Sequence, residues 1–481
     1  MTELLTTLWP ALLAAADIGL AASTSAHVVL HKRDVRAAIG WVGLVWLVPF
    51  VGPALYGMFG INRIRRRASS LRARRPSARN RARTEAGATG APRGSPACAG
   101  HIQPVARLAD RITGTRVLPG NTIAMLEGGE RAYAAMLDAI EGARASIGLL
   151  TYIFDHDSVG VRFVQALGRA QARGVAVRVL VDGVGARYSF PSIIAALRTA
   201  ALPAGEFLPS LLPLSIHYAN LRNHRKILVT DGCCAFTGGM NIRAGHCATS
   251  GPAAIQDVHF RLSGPVVAHL AETFACDWAF VTGEVLAGDA WFPALPEDGP
   301  IPARGIASGP DEAFERIHWA ILAALSVART RIRIVTPYFL PDTTLATALQ
   351  LAAMRGVRVD IVLPERSNLR LMQWATGARL LAFLARGCRI WLTPPPFDHT
   401  KLMTVDGVWS LFGSANWDSR SFRLNFEFDL ECYEAGFAAE LDHVVDRKIA
   451  AARRLSRAEV ENRSLGARLR DGSAWLLSPY L

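Results

Sequence analysis

The sequence predicts an α/β protein. Two halves are related by a pseudo-twofold axis, each a mixed, mainly parallel sheet flanked by helices, behind an N-terminal transmembrane hairpin. Three observations carry this. A short motif is written twice with its internal spacing preserved. Each copy follows the same alternation of helical and β-branched runs. The first sixty residues are far more apolar than the rest.

Among the 481 residues about half are apolar, enough for two or three domains with sizeable cores. Ala37 to Ile61 carries no charge between Arg36 and Arg63 and is longer than the roughly 20 residues a spanning helix needs. Leu4 to Leu30 is a second candidate, interrupted by Pro10, Asp17 and His27. Glu3 stands where a secretory leader has its basic start and no clean cleavage site follows, so a retained hairpin is expected, with a re-entrant first segment as the alternative.

Arginine sets the orientation. Eleven arginines from Arg63 to Arg93, against Glu85 alone, supply most of the net charge of +13. Such an excess stays on the cytoplasmic side, which places a multi-pass protein in the inner (plasma) membrane with its body in the cytoplasm. The same Ser-, Ala-, Gly- and Pro-rich stretch reads as a disordered linker that rests on anionic lipid. Nucleic acid is not an expected partner, because the basic excess lies beside a span. The seven cysteines form no CxxC pair and read as reduced thiols; Cys233-Cys234 reads as the start of a strand.

The globular pattern begins near residue 104. In the first half, Ala139–Ile147 leads into Thr151-Tyr152-Ile153-Phe154; Val164–Ala172 then ends at Arg173-Gly174 before the β-run Val175–Val181. In the second, Ala320–Leu325 leads through Arg331-Ile332 to Thr336-Pro337-Tyr338-Phe339; Leu345–Met354 ends at Arg355-Gly356 before Val357–Leu363. A glycine closes each helix and a β-branched run opens each strand. The expected domains are a hairpin (1–61), a linker (62–103), a first half (104–290), a second half (291–440) and a C-terminal helical tail (441–481).

The repeated motif runs His224-Arg225-Lys226 to Asp231, then Gly238-Gly239 and Asn241. Its second copy runs His399-Thr400-Lys401 to Asp406, then Gly413-Ser414 and Asn416. On a strand, histidine and lysine two apart share a face. Asp231-Gly232 and Asp406-Gly407 are two-residue hairpin turns that would set His224 opposite Gly239 and His399 opposite Ser414. That leaves room for a phosphate, with Asn241 and Asn416 as nearby donors. Phosphodiester chemistry needs a nucleophile, a proton donor for the leaving oxygen, and positive charge around the equatorial oxygens. Two histidines and two lysines supply these. The candidate catalytic residues are therefore His224, Lys226, Asp231, His399, Lys401 and Asp406, with turn formation as the favoured role of the two aspartates. Gly239, Asn241, Asp257, Ser414, Asn416 and Glu427 are the candidate binding or orienting residues, the carboxylates to fix histidine tautomers. No metal and no cofactor are expected, since the lysines provide the charge and disfavour a cation.

These residues resemble the phospholipase D superfamily, and the whole chain is similar to its bacterial cardiolipin synthase branch. The likeness includes Trp46–Pro53 with Tyr56 and Gly57, Tyr152-Ile153-Phe154, Asn220–Lys226, Phe236–Asn241, Thr336–Phe339, Gly413–Asn416 with Asp418, Arg420 and Ser421, and Leu476–Pro479. It implies two phospholipase D-like α/β domains. It also implies a phosphatidyl transfer that condenses two phosphatidylglycerols to cardiolipin and glycerol through a phosphatidyl-histidine. By analogy His224 is the nucleophile and His399 the acid, then base; the spacing alone does not distinguish them. In the family the carboxylates can cross between halves, so the pairing of Asp257 and Glu427 with the histidines stays open, as does the oligomeric state. The chain departs from the family at Arg243-Ala244-Gly245-His246 and at Asn368, where the family often has acids, which leaves the acceptor open. Alternatives are hydrolysis to phosphatidic acid or a membrane-tethered phosphodiesterase or nuclease. Phe207–Leu214 could line an acyl groove or pack as core. The arginine-rich segment before Trp475-Leu476-Leu477 could be an interfacial tail or a helix on the body.

Overall fold

The structure, a computed structural model, describes residues 2–32, 35–60, 100–209, 221–310 and 313–478. The arginine-rich stretch, Ser210–Asn220 and Pro479 lie outside the described residues. The chain divides into an N-terminal unit and a large C-terminal unit, described in turn.

In the N-terminal unit α1 (Thr2–His31) pairs with α2 (Val35–Leu47). One helix among the described residues is long and apolar enough to cross a bilayer, and it is α1, over Trp9–His31. The expectation that Ala37–Ile61 forms a second full span is not met. α2 has 13 residues, roughly 20 Å of rise. It stops before Pro49, which has no N–H to continue the ladder, and Phe50 turns to φ 56°. The polar residues that seemed to spoil the first segment are partnered across the pair. Asp17 Oδ1 accepts the Phe50 N–H at 2.8 Å, and His27 Nδ1 lies 2.9 Å from the Tyr56 hydroxyl.

In the large unit the strands of the first half are β1 (Leu118–Glu127), β2 (Ser146–Thr151), β3 (Ala176–Asp182), β4 (Ala204–Phe207), β5 (Ile227–Thr230), β6 (Cys234–Gly238) and β7 (Val258–Ser263). The second half has β8 (Ile301–Ser308), β9 (Arg331–Val335), β10 (Phe339–Leu340), β11 (Arg358–Pro364), β12 (Arg389–Thr393), β13 (Leu402–Val405), β14 (Trp409–Gly413), β15 (Trp417–Asp418), β16 (Glu427–Cys432) and β17 (Arg453–Arg454). From the central β1–β8 pair outward, the order is β7-β6-β5-β2-β3-β4 on one side and β16-β14-β13-β9-β11-β12-β17 on the other. The pseudo-twofold expected from the repeat is thus visible in the strand order.

The sheet is mixed, but not mainly parallel. Parallel pairing is confined to β2-β3-β4 and β9-β11-β12, plus the small β10–β15 pair. The motif hairpins β5–β6 and β13–β14 and their neighbours β7, β1, β16 and β8 run antiparallel. A helix crossover makes a parallel neighbour and a tight turn cannot.

The helices start and stop where the sequence indicates. Asp157 caps Ser158–Ala172 by accepting from Val159 and Gly160 N–H, and Asp342 caps Thr343–Met354. Gly174 (φ 90°) and Gly356 (φ 93°) close these helices in the left-handed region. One core lies under the outer helices of each half, and a third joins the halves, with Phe260 and Phe412 rings 3.8 Å apart. Helices Val267–Thr282 and Ala435–Ala451 pack into this shared core. The boundary expected at 440/441 therefore falls inside a core helix. Phe207 is also core, against Phe426.

Candidate active site

The two motif histidines sit just ahead of β5 and β13. They lie beside the carboxyl ends of β2 and β9, where loops of parallel sheets gather side chains. Two reciprocal pairings build the site. His224 N–H donates to Phe426 O at 2.9 Å, and Phe426 N–H donates back to Arg222 O at 2.8 Å. His399 N–H donates to Gln256 O at 2.7 Å, and Gln256 N–H to Phe397 O at 2.9 Å. The approach to each histidine is thus hydrogen-bonded to the residue just before the other half's carboxylate.

This crosses the carboxylates. His224 Nδ1 lies 3.0 Å from Glu427 Oε2 and 3.1 Å from Ser414 O, while His399 Nδ1 lies 2.8 Å from Asp257 Oδ2. With acceptors around Nδ1, the proton of the neutral ring sits there, leaving Nε2 as the free nitrogen. Lys401 Nζ is 3.0 Å from His399 Nδ1 and donates to His399 O at 2.5 Å. A nitrogen that donates to Asp257 cannot also accept from an ammonium, so Lys401 is a repulsive neighbour there. Lys226 Nζ donates to His224 O at 2.7 Å and lies 5.5 Å from the centre of the Tyr152 ring.

The halves share one electrostatic environment. Burial holds the His224 and His399 imidazoles well below the usual histidine range, and both Lys226 and Lys401 push each of them further down. Burial also lowers Lys226 to about 7 and Lys401 to about 8. It raises Glu427 to about 7 and raises Asp257, with both lysines opposing the shift at Glu427 and Lys401 opposing it at Asp257. An anionic phosphodiester entering such a site would restore charge to the lysines.

The small residues have specific reasons. A Cβ on Gly239 would collide with the Asp257 carboxylate. Ser414, at the matching position, instead donates its hydroxyl to Glu427 Oε2 at 2.6 Å and accepts from Phe428 N–H at 2.9 Å. Gly and Ser are therefore matched to Asp and Glu, a shorter and a longer carboxylate. Asn241 Oδ1 accepts from Ile153 N–H at 3.1 Å; buried Asn416 Oδ1 has no hydrogen-bond partner among the described residues.

Two expectations need correction. The hairpin register is one residue off. Both turns form, with Asp231, Gly232, Asp406 and Gly407 all at positive φ, but Cys233 and Val408 bulge. The ladders pair Thr230 with Cys234 and Val405 with Trp409, so the histidines do not face Gly239 and Ser414. Second, Asp231 and Asp406 lie at the turn ends of the hairpins, away from the histidines. Asp231 accepts from Arg144, Ala145 and Ser146 N–H; Asp406 accepts from Arg329, Thr330 and Arg331 N–H and the Thr330 hydroxyl. They fix the start of β2 and β9. Asp231→Ala and Asp406→Ala should each cost about 1–3 kcal/mol of stability. That appears as a lower thermal midpoint with wild-type turnover in the folded fraction; a collapse of turnover without a stability loss would contradict the turn role.

The sequence profile described as "Cardiolipin synthase, PLD-like domain" matches residues 136–278 and 321–449. One described as "Phospholipase_D-nuclease N-terminal" matches 19–60. This chain belongs to the PLD-like cardiolipin synthase family. The chain is 32% identical over 468 residues to a cardiolipin synthase A of Pseudomonas fluorescens (strain SBW25), covering 95% of each chain. It is 31% identical to a cardiolipin synthase of Geobacillus thermodenitrificans (strain NG80-2), covering 94% of this chain and 91% of that one. The crystal structure of phosphatidylserine synthase from Haemophilus influenzae Rd KW20 shares the fold. Its TM-score is 0.62 at 14% identity, over 78% of this chain and 100% of that one.

Several residues around the cardiolipin synthase-family motif were not singled out from sequence as part of the site. Tyr152 faces His224 with ring centres 5.0 Å apart, and Tyr338 lies 6.3 Å from His399. Their signal was present, since each comes within three residues of the end of a matching strand. Arg225, fully buried, donates to Asp277 Oδ2 at 2.5 Å, Glu427 O at 3.0 Å and Ser308 O at 3.0 Å, bracing the Glu427 backbone. Asp398, beside His399, is paired with Lys448 at 2.6 Å. Among the described residues no cluster of His, Cys, Asp or Glu has the form of a metal site.

Proposed function

We propose that this membrane-associated enzyme condenses two phosphatidylglycerols to cardiolipin and glycerol, with His224 as nucleophile. One observation carries the reading: two imidazoles, each oriented by the other half's carboxylate, beside two buried lysines in a chain of this family. In the first step His224 Nε2 forms a bond to phosphorus. The P–O bond to glycerol breaks, and the glycerol oxygen takes a proton from Nε2 of His399, a ring that is neutral in the empty site and gains that proton from solvent when the anionic phosphodiester binds. In the second, a hydroxyl of the acceptor phosphatidylglycerol gives its proton to His399 and attacks phosphorus, and the P–N bond breaks. The lysines stabilise the equatorial oxygens throughout.

The asymmetry of the pairs favours these roles. His224 Nδ1 has two oxygen acceptors, Glu427 and Ser414 O, which stabilise the cationic phosphorylated ring. His399 Nδ1 has the Lys401 ammonium beside it, which makes its ring the better acid. Asn241 and Asn416 are assigned to the phosphate as donors. The arginine excess of 62–95 supports a body on the cytoplasmic face of the inner membrane, against anionic lipid, with α1 as the span.

Purified protein given labelled phosphatidylglycerol tests the reading. Cardiolipin plus glycerol is expected; phosphatidic acid alone would make the protein a hydrolase, and no turnover would end the proposal.

The lysines also predict a pH profile. As pH rises through about 7 to 8, Lys226 and Lys401 in the free enzyme lose their protons and with them the charge at the phosphate. kcat/KM should therefore have an alkaline limb there, well below the usual lysine value of 10.5. The acid limb should lie below the ordinary histidine range, since His224 must be unprotonated to attack and its imidazole is held low. In kcat the alkaline limb should move up, because bound phosphate stabilises the ammonium form. An alkaline limb near the ordinary lysine value in kcat/KM would remove the lysines from the site's chemistry.

A further inference from the structure

We propose that helix Leu465–Leu476 and the loop carrying Tyr188 and Phe190 form a lipid-docking surface that seats the mouth of the active site on an anionic bilayer. The surface rests on the phosphatidyl-transfer reading only for what it delivers to the histidines. Its existence follows from exposure and charge.

The helix packs one face on the protein. Asp471 and Ala474 are buried, and Ala467 lies on the same side by the 3.6-residue period. It sits against Arg370–Gly377. Leu465, Leu469 and Leu476 occupy the opposite face, spaced by four and seven residues, and are 70%, 63% and 72% exposed. A water-facing helix face normally carries polar side chains. Here it is a leucine stripe, flanked by Trp475 and Leu477, both more than a third exposed, and by Arg468 and Arg470. Arg366 and Arg370 add positive charge on the neighbouring segment, beside exposed Leu369 and Leu371. Arginines beside an exposed leucine and tryptophan face are the composition of an interfacial helix on anionic lipid. A protein partner would not call for this basic flank. Of the two sequence readings of this segment, the helix on the body is what the structure has, and its outer face has the composition that the interfacial reading needs.

The surface is tied to the site from both halves. Ala474 clusters with Met372, Ala375 and Leu340, with Tyr338 and Trp374 packed against them. Tyr338 faces His399. On the other half Phe190 is fully exposed and Tyr188 is 56% exposed. Tyr188 meets Tyr152, whose ring faces His224. Tyr188 also lies close enough to Tyr338 to raise its hydroxyl's pKa, behind burial as the main cause. Exposed Tyr188 thus touches the ring that faces His224, and the helix reaches His399 through the cluster around Ala474 and Tyr338.

The test uses the full chain in phosphatidylglycerol vesicles that include phosphatidylglycerol with a diazirine in its acyl chain. Photolysis should label peptides within 463–478 and 185–192 as well as the N-terminal helices. The variant Leu465→Ser/Leu469→Ser/Leu476→Ser alters only the outward face. It should lose label in 463–478 and turn over bilayer phosphatidylglycerol about tenfold more slowly. Turnover of short-chain phosphatidylglycerol dispersed in detergent should stay at the wild-type rate. Label confined to the N-terminal helices, equal loss on both substrates, or cross-links showing that a second copy covers the stripe would each overturn the surface. A wild-type protein that labels as expected but makes no cardiolipin would instead sink the functional reading and leave the surface standing.

Discussion

His224→Ala and His399→Ala should each lower turnover of phosphatidylglycerol by about three to four orders of magnitude, and the double variant should fall little further, because groups acting in one step are not additive. The two losses should differ in kind. A phosphatidyl donor with an acidic leaving group such as p-nitrophenol needs no proton to depart. Given that donor, His399→Ala should still release one equivalent of the phenol in a burst and hold the lipid on His224, since the base for the second step is missing. His224→Ala should show no burst. Acid-labile phosphorus recovered on a peptide containing His224 would fix the assignment. Its recovery on His399 from the His224→Ala variant would reverse the roles. Wild-type turnover in either variant would end the shared site. The size of the effect follows from the environment: both rings are buried, both are neutral in the empty site, and each is oriented by a carboxylate of the other half.

Much of this was legible in the sequence because the signals were local. The histidine–lysine spacing, the glycines ending the helices Ser158–Ala172 and Thr343–Met354 and the β-branched runs after them are read within ten residues, and they give the repeated α/β halves. The candidate carboxylates Asp257 and Glu427 were legible as acids in apolar surroundings. Their pairing was not, because it depends on Asn223 bridging to Phe426 and Gln256 to Asp398, contacts between distant parts of the chain. The one-residue bulges at Cys233 and Val408 carry no distinct residue signature, and they moved the register. Sheet direction was misread since β-branched runs look alike in parallel and antiparallel strands. At the N-terminus, composition favoured Ala37–Ile61 as a span, yet one backbone event outweighed it: no N–H at Pro49 and a left-handed Phe50. Asp17 and His27, penalised as polar, have partners in that broken segment. Single-segment hydropathy cannot register such pairing.

The crossed carboxylates make the second large prediction. Glu427→Gln should reduce turnover by about two to four orders of magnitude with the protein still folded. The amide fits the same space, but its single oxygen keeps acceptance from either the Ser414 hydroxyl, on Oε2 at 2.6 Å in the native protein, or Asn425 Nδ2, on Oε1 at 3.0 Å, and not from both. It cannot hold the proton on Nδ1 as a carboxylate does, nor offset the charge of a phosphorylated ring. An amide N–H turned toward Nδ1 would force the proton onto Nε2 and remove the nucleophile's lone pair. Asp257→Asn should cost a similar factor by a different route, weakening His399 as acid and base. The activated donor separates the two. Because Glu427 of the second half serves His224 of the first, Glu427→Gln should lose the burst and Asp257→Asn should keep it. Carboxylates acting within their own halves would give the opposite pattern, with the burst lost in Asp257→Asn. Combining Glu427→Gln with His224→Ala should add nothing to His224→Ala alone, whereas combining it with His399→Ala should remove the burst that His399→Ala retains.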